Sequence, residues 1–202
     1  MLIGQGSTTT ALSDAAVATI VEQALVPLAL DGKRVLVIVP DGTRTAPIPL
    51  VYRLLQERLG TRAARLDFLI ALGTHKPMST AAIDTLVGVA AAERAVRYPN
   101  SAVVNHRWEL PESFVTIGTI PRAEMAALTG GLLAADVPVA LNRLVFDYDQ
   151  LIVCGPVFPH EVAGFSGGAK YFFPGIAGAA IINFTHWLGA LVTSMETIGV
   201  KD

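Results

Sequence analysis

Three stretches of this sequence are nearly unbroken runs of apolar residues, and each leads directly into a polar loop. They are RVLVIVP at 34–40, LDFLIALG at 66–73 and DQLIVCGPVF at 149–158. A strand without polar alternation is typical of a parallel sheet whose two faces are both covered by other elements. These runs therefore restrict the chain to an α/β arrangement around a buried sheet.

Helical patterns separate the apolar runs. We predict helices from Ser13 to about Leu30, from Ile48 to Leu59, from Ser79 to about Val87, and from near Gly178 to about Ser194. From Asn100 the pattern is richer in strands, namely SAVVNH, ESFVTIGTI, DVPVALNRLVF and DQLIVCGPVF. The predicted fold is a single α/β domain over residues 1–202, with a mostly parallel, Rossmann-like sheet flanked by helices.

The composition limits which partners the chain can have. It is 52% hydrophobic and 16% charged, against roughly 25% charged residues in ordinary globular proteins. We expect either that another domain or subunit covers an apolar surface, or that an alanine-rich core fills a monomer. The net charge of −2, without a basic stripe, argues against a nucleic-acid partner.

The single cysteine and the apolar C-terminal region bear on location. Cys154 rules out an internal disulfide, fits a reducing cytoplasm, and is expected to be a small core residue rather than a nucleophile. We expect no signal peptide, since MLIGQGSTTTA lacks a basic segment followed by an apolar one. Residues 171–195 contain no Asp, Glu, Lys or Arg, but Pro174, His186 and other polar groups there favour a buried helix over a membrane span.

Polar clusters follow the three apolar runs at PDGTR (40–44), GTHKP (73–77) and PHE (159–161). Because the carboxyl ends of parallel strands meet at one edge, we expect Asp41, Arg44, His75 and His160 to gather there. Arg44 suits a carboxylate or phosphate, and two imidazoles suit proton transfer. Alternatively, Asp41 makes only a turn or helix cap, and each histidine is a satisfied core residue.

The segment from Pro159 to His186 places one lysine, Lys170, between two histidines in a run rich in glycine and apolar residues. In such surroundings we expect a lowered Lys170 pKa and a better amine nucleophile. Gly167 and Gly168 would let the backbone approach a ligand closely. The GFSGGAK segment is not a P-loop, but its turn could form a phosphate-binding nest. A metal held by protein alone is not expected, but His186 could add one ligand to a metal that a cofactor carries. His106 is assigned a structural or rim role.

With these residues in view, the chain resembles the N-terminal half of the nickel-pincer-nucleotide lactate racemase family. The matching motifs are PDGTR at 40–44, GTHKPM at 73–78, and PHEVAGFSGGAKYFFPG at 159–175 with the helix that follows to His186. They occur in the family's order over most of the chain.

The resemblance implies a 2-hydroxy acid racemase or epimerase. Lys170 would carry the nickel-pincer nucleotide covalently, His186 would complete the nickel coordination, and the α-hydrogen would pass to the cofactor as hydride. His75 and His160 would exchange the hydroxyl proton from opposite faces. Arg44 would bind the substrate carboxylate, and Asp41, assigned with it to the substrate-binding site, would help order the loop or the cofactor.

The sequence also departs from the family. Thr45 follows Arg44 where a proline is usual, and the C-terminal domain of the family is absent from this chain. We therefore expect a missing domain or partner subunit, an empty cofactor site and an inactive isolated chain. The rival hypothesis is a non-catalytic nucleotide- or phosphate-binding module that needs a partner. An α/β-hydrolase-like enzyme is disfavoured because no Gly-x-Ser-x-Gly motif occurs.

Overall fold

A four-stranded parallel sheet organises the chain, in a computed structural model that describes residues 2–160, 163–196 and 198–200. Its strands are β1 (Arg34–Pro40), β2 (Arg65–Ala71), β3 (Val103–Asn105) and β6 (Gln150–Val153), in the order β3-β2-β1-β6. β1 pairs with β2 over its whole length, from Arg34 opposite Arg65 to Pro40 opposite Ala71. The predicted α/β class and parallel sheet are confirmed.

The helices connect and cover these strands. They are α1 (Asp14–Leu25), α2 (Ile48–Leu59), α3 (Thr80–Val87), α4 (Ala91–Arg97), α5 (Arg122–Leu128) and α6 (Ala179–Val192). Ser13 and Ser79 are N-caps as predicted, since their side chains accept from Ala16 N–H and Ala82 N–H. The first helix is shorter than predicted, because Pro27 lies in a 3₁₀ turn at Val26–Leu28 that ends in a left-handed Ala29.

The strand-rich region after Asn100 does not all join the main sheet. The strands β4 (Phe114–Ile120) and β5 (Val137–Asn142) form a separate antiparallel pair, with α5 between them in sequence. The short pair β7 (Pro159–His160) and β8 (Gly164–Phe165) is also antiparallel. Of the predicted apolar run at 149–158, only Gln150–Val153 forms a strand, and residues 154–158 form a loop.

The two faces of the sheet bury different partners, because successive strand residues point to opposite sides. One face packs against α2 and α3 through a cluster that includes Val35, Val37, Val39, Phe68, Ile70, Tyr52, Leu55 and Ile83. The other packs against β5, α6 and the segment before α6 through Leu36, Ile38, Leu69, Val137, Tyr171, Ile176, Ile181 and Ile182. Each strand of the sheet therefore needs apolar residues at consecutive positions.

The last helix is buried on one side only. In α6, Ile181 and Ile182 are buried, whereas Trp187 is 59% exposed. The expectation of a buried helix is thus right for one face and wrong for the other. Within the described part of the chain, no helix has both the length and the apolar character needed to cross a membrane.

Candidate functional site

A cleft of about 490 Å³ lies at the carboxyl ends of β1, β2 and β6. Its walls include the predicted residues Asp41, Arg44, His75, His160, Gly167, Lys170 and His186. The structure thus brings together at one sheet edge groups that are far apart in sequence, as expected for parallel strands. Gly168 is outside the lining, and Glu161 lies outside the described residues.

Asp41 is buried at the end of β1 and holds His75. The Nδ1–H of His75 donates to Asp41 Oδ2 at 2.5 Å, and the N–H and hydroxyl of Thr43 donate to Oδ1 at 3.1 and 2.5 Å. Burial raises the pKa of Asp41, but the hydrogen bonds from Thr43 and His75 outweigh it and leave the pKa below its ordinary value.

This pairing assigns the nitrogens of His75. Since a carboxylate only accepts hydrogen bonds, Nδ1 carries the proton and Nε2 is the nitrogen left for chemistry in the cleft. Both oxygens of Asp41 are occupied by His75 and Thr43. The geometry therefore favours a role for Asp41 in positioning His75.

Lys170 and His160 contact each other. Lys170 lies in a 3₁₀ turn at Gly168–Tyr171, and its Nζ is 2.7 Å from His160 Nε2. The opposite ring nitrogen, Nδ1, accepts the backbone N–H of Ala163 at 3.3 Å. The amine predicted to attach a cofactor thus lies against one of the two imidazoles predicted to transfer protons.

Gly167 is required by the protein's own packing. Its φ is +82°, and a Cβ there would lie 2.5 Å from Val157 Cγ2 and 2.9 Å from the Pro156 carbonyl oxygen. Gly168 has a φ of +51°, but a Cβ there would meet nothing within 4 Å. The two glycines therefore allow the turn that carries Lys170. The atoms close to Gly167 belong to Val157 and Pro156, so the protein's own packing accounts for this glycine.

His186 lies on α6 and lines the same cleft. Its Nδ1–H donates to the Ile182 carbonyl oxygen at 2.7 Å, so Nε2 retains its lone pair. A backbone carbonyl commonly fixes the second nitrogen of a metal-bound histidine in this way. Across the residues described, no cluster of three or more His, Cys, Asp or Glu side chains could hold a metal.

Arg44 lies at the mouth of the cleft, where its side chain is exposed. The guanidinium carbon is 5.7 Å from the ring centre of Phe158, a cation–π contact. Phe158 is in turn tied to Ser166, whose N–H donates to the Phe158 carbonyl oxygen at 2.8 Å. These contacts connect Arg44 on the β1 loop to the segment that leads into Lys170.

Tyr171 is a cleft residue that the sequence analysis did not identify. It is 8% exposed, and burial raises its pKa to about 12. Its hydroxyl fills the space beside Gly155, where an added Cβ would overlap it. Nothing in the local pattern KYFFPG shows which aromatic turns inward, because that depends on Gly155 across the fold.

Two residues outside the cleft fit the roles predicted for them. Cys154 packs against the buried cluster beneath the sheet, and burial raises the pKa of its thiol. His106 is fully buried between the Ala177 carbonyl oxygen and the Asn142 side chain. It is therefore a structural residue and not a rim residue.

Comparison with known proteins gives matches over most of the chain. The model of the lactate racemase N-terminal domain matches residues 5–199. Lactate racemase of Thermoanaerobacterium thermosaccharolyticum is 31% identical over 161 residues, which is 79% of this chain and 33% of that protein. The same identity and coverage of this chain hold for lactate racemase of Lactiplantibacillus plantarum, of which 34% is covered.

Two solved structures are also similar. A Thermotoga maritima protein from structural genomics superposes with a TM-score of 0.81 at 31% identity, covering 95% of this chain and 44% of that one. The lactate racemase apoprotein of T. thermosaccharolyticum gives a TM-score of 0.63 at 30% identity, covering 82% and 38%. The chain spans about a third of the length of the curated relatives it matches.

Proposed function

Because this chain belongs to the family of lactate racemase N-terminal domains, we propose that it is the cofactor-binding half of a 2-hydroxy acid racemase or epimerase. The observation that carries the proposal is the shared cleft, which collects one amine, three imidazoles and a guanidinium at the carboxyl edge of the sheet. Amine, imidazole and guanidinium groups suit covalent attachment, proton transfer and carboxylate binding respectively.

The residues present fit a covalently held, metal-bearing cofactor. The cleft volume of about 490 Å³ is within the range of small-molecule sites. Lys170 would form the covalent link, and His186 would offer Nε2 to nickel. Since no protein cluster could complete a metal site among the described residues, the remaining ligands would come from the cofactor. When bound, the nickel-pincer nucleotide supplies a centre that accepts a hydride and returns it.

The side chains of the cleft would do the remaining work. Arg44 binds the carboxylate of a small 2-hydroxy acid and fixes its orientation. His75 Nε2 takes the hydroxyl proton from one enantiomer, and His160 takes it from the other. Asp41 keeps His75 in the tautomer that this step needs, because Nδ1–H is committed to the carboxylate.

Turnover is proposed to need further polypeptide, either a second domain or a partner subunit. The match covers 33–34% of the curated lactate racemases. In addition, the cleft is open enough to leave the His75 side chain 51% exposed and Phe158 37% exposed. Water-filled surroundings weaken the electrostatic interactions on which such a site depends.

Mass spectrometry after coexpression with cofactor-synthesising enzymes tests the cofactor half of this proposal. We expect a covalent adduct on the Lys170 peptide, with nickel that His186→Gln removes without removing the adduct. Lys76→Arg is the matched control and should keep both adduct and nickel. An unmodified Lys170 in every preparation contradicts the proposal.

Racemisation of 2-hydroxy acids by the longer, loaded protein tests the catalytic half. His75→Gln and His160→Gln should each lower the rate by about 10²-fold or more. If either variant keeps the full rate while the adduct forms, the chain is instead a binding module.

A further inference from the structure

Tyr171 brings to the cleft a hydroxyl group that the proposed reaction does not use. It follows Lys170 in the 3₁₀ turn at Gly168–Tyr171, is 8% exposed and lines the cleft. Its side chain belongs to the buried cluster on the second face of the sheet. The turn therefore brings two consecutive side chains, Lys170 and Tyr171, to the same cleft.

The Tyr171 hydroxyl lies at the carboxyl edge of the sheet, beside the ends of β1 and β6. A Cβ built on Gly155, in the loop after β6, would fall 1.6 Å from the hydroxyl oxygen and 3.1 Å from Cδ of Pro40, the last residue of β1. Asp41 and Arg44, two cleft residues that follow Pro40, are close enough for their charges to act on the pKa of the hydroxyl. The hydroxyl thus lies within electrostatic range of the guanidinium proposed to bind a carboxylate.

No described residue gives this hydroxyl a hydrogen bond. Burial is the main cause that raises its pKa to about 12, and the other causes are the charges of neighbouring groups. Among the described side chains, the polar atoms that are both fully buried and without a partner belong to Tyr52 and Gln56, so the Tyr171 oxygen still reaches open space. A polar group with so little exposure is normally hydrogen-bonded. The cleft therefore holds an unused donor, which keeps its proton at neutral pH.

We propose that the Tyr171 hydroxyl donates a hydrogen bond to the carboxylate that Arg44 binds. A carboxylate offers about four acceptor sites, so it can accept from a guanidinium and from a phenol together. A hydrogen bond to a charged acceptor is stronger than one between neutral groups, and the nearby positive charge of Arg44 favours an anion at this position. This inference deepens the proposed function, on which the choice of a small 2-hydroxy acid as ligand rests.

NMR of the 202-residue chain, with ¹³C at the Cζ atom of tyrosine, tests the contact directly. The chain has four tyrosines, and Tyr171→Phe identifies the signal of Tyr171. During a titration with lactate this signal should shift and reach saturation, while the Tyr98 signal stays in place, because Tyr98 packs against the other face of the sheet. A Tyr171 signal that does not move overturns the proposal. So does an equal shift with propylene glycol, in which a hydroxymethyl group replaces the carboxylate.

Saturation-transfer NMR of the lactate methyl group measures the affinity of each variant. Tyr171→Phe should weaken lactate binding by about tenfold or more, because it loses one hydrogen bond to a charged group. Arg44→Gln should also weaken it, since the carboxylate loses its guanidinium partner. Tyr98→Phe is the matched control and should keep the wild-type affinity. Unchanged affinity in Tyr171→Phe overturns the proposal.

Urea unfolding separates a ligand contact from a structural one. Because no described residue accepts a hydrogen bond from the Tyr171 hydroxyl, Tyr171→Phe should unfold close to the wild-type urea concentration. A clearly lower midpoint would identify the hydroxyl as a structural group and would overturn the proposal. These measurements use neither the nickel cofactor nor racemisation, so their failure is distinct from failure of the proposed racemase.

Discussion

Acidification should destabilise this protein through one buried histidine. The His106 ring is 0% exposed, its Nε2–H donates to the Ala177 carbonyl oxygen at 3.2 Å, and its Nδ1 accepts from the Asn142 amide at 3.0 Å. A second proton on Nδ1 would face the Asn142 donor and place an unpaired charge in the interior. Burial accordingly lowers the pKa of His106 to about 4, despite the opposing hydrogen bond to Ala177.

The size and sign of the effect follow from proton linkage. In the unfolded chain the pKa of a histidine is about 6.5, so between roughly pH 6.5 and 4 the unfolded state binds a proton that the folded state does not. Stability therefore falls as the pH falls through this window and levels off below the folded pKa. At about 1.4 kcal/mol per pH unit, the loss approaches about 3 kcal/mol. That is a large share of the stability of an ordinary domain.

Urea unfolding from pH 7 to pH 4 measures this loss. We expect His106→Gln to be less stable than the wild type at pH 7 and to lose about 3 kcal/mol less on acidification. Thr19→Ala, an exposed substitution that changes no titratable group, provides the control and should keep the wild-type pH dependence. Parallel curves for the wild type and His106→Gln would refute the reasoning. So would an NMR titration of the wild-type His106 ring with a midpoint near its ordinary value.

Two further substitutions test the cleft. Gly155→Ala should lower the free energy of unfolding by about 1–3 kcal/mol, because the added methyl group would overlap the Tyr171 hydroxyl. Gly118→Ala is the control: its methyl group would meet no atom within 4 Å, so the free energy of unfolding should change much less. Urea titration would settle this, and equal losses for the two variants would contradict it. Asp41→Asn should reduce the racemisation rate of the loaded, longer protein by about 10²-fold or more, since an amide can stabilise the wrong tautomer of His75. A rate equal to that of the wild type would show that the pairing does not position His75.

The elements that the sequence predicts well are those with strong local signals. β1 and β2 lie in apolar runs, and α3 begins after a capping serine. The helices α4 and α5 were not predicted, because each has seven residues and lacks a side-chain cap. The sequence predicted strands in the region of β4 and β5 but not that they would pair with each other outside the main sheet, because the local pattern of a strand does not specify its partner.

The site was predictable to the extent that it follows from parallel topology. Once strands are parallel, the loops after them share one edge, which brings His75 and His160 into one cleft. The hydrogen-bond partners were not predictable, because they depend on three-dimensional distances. The sequence did not show, for example, that the Asp41 carboxylate would hold His75. The contact of Lys170 with His160 likewise depends on a turn whose geometry the sequence alone does not specify.

The position of β6 beside β1 has a consequence for how the protein folds. β6 is the last strand of the sheet in sequence, and the ion pair next to it joins Arg34 to Asp149 across 115 positions. Closing so long a loop has an entropic cost, whereas the β1–α2–β2 unit forms through contacts that are close in sequence. We therefore expect an early folding nucleus in the first third of the chain. The wall of the cleft that carries His160 and Lys170 would assemble only after β6 has docked.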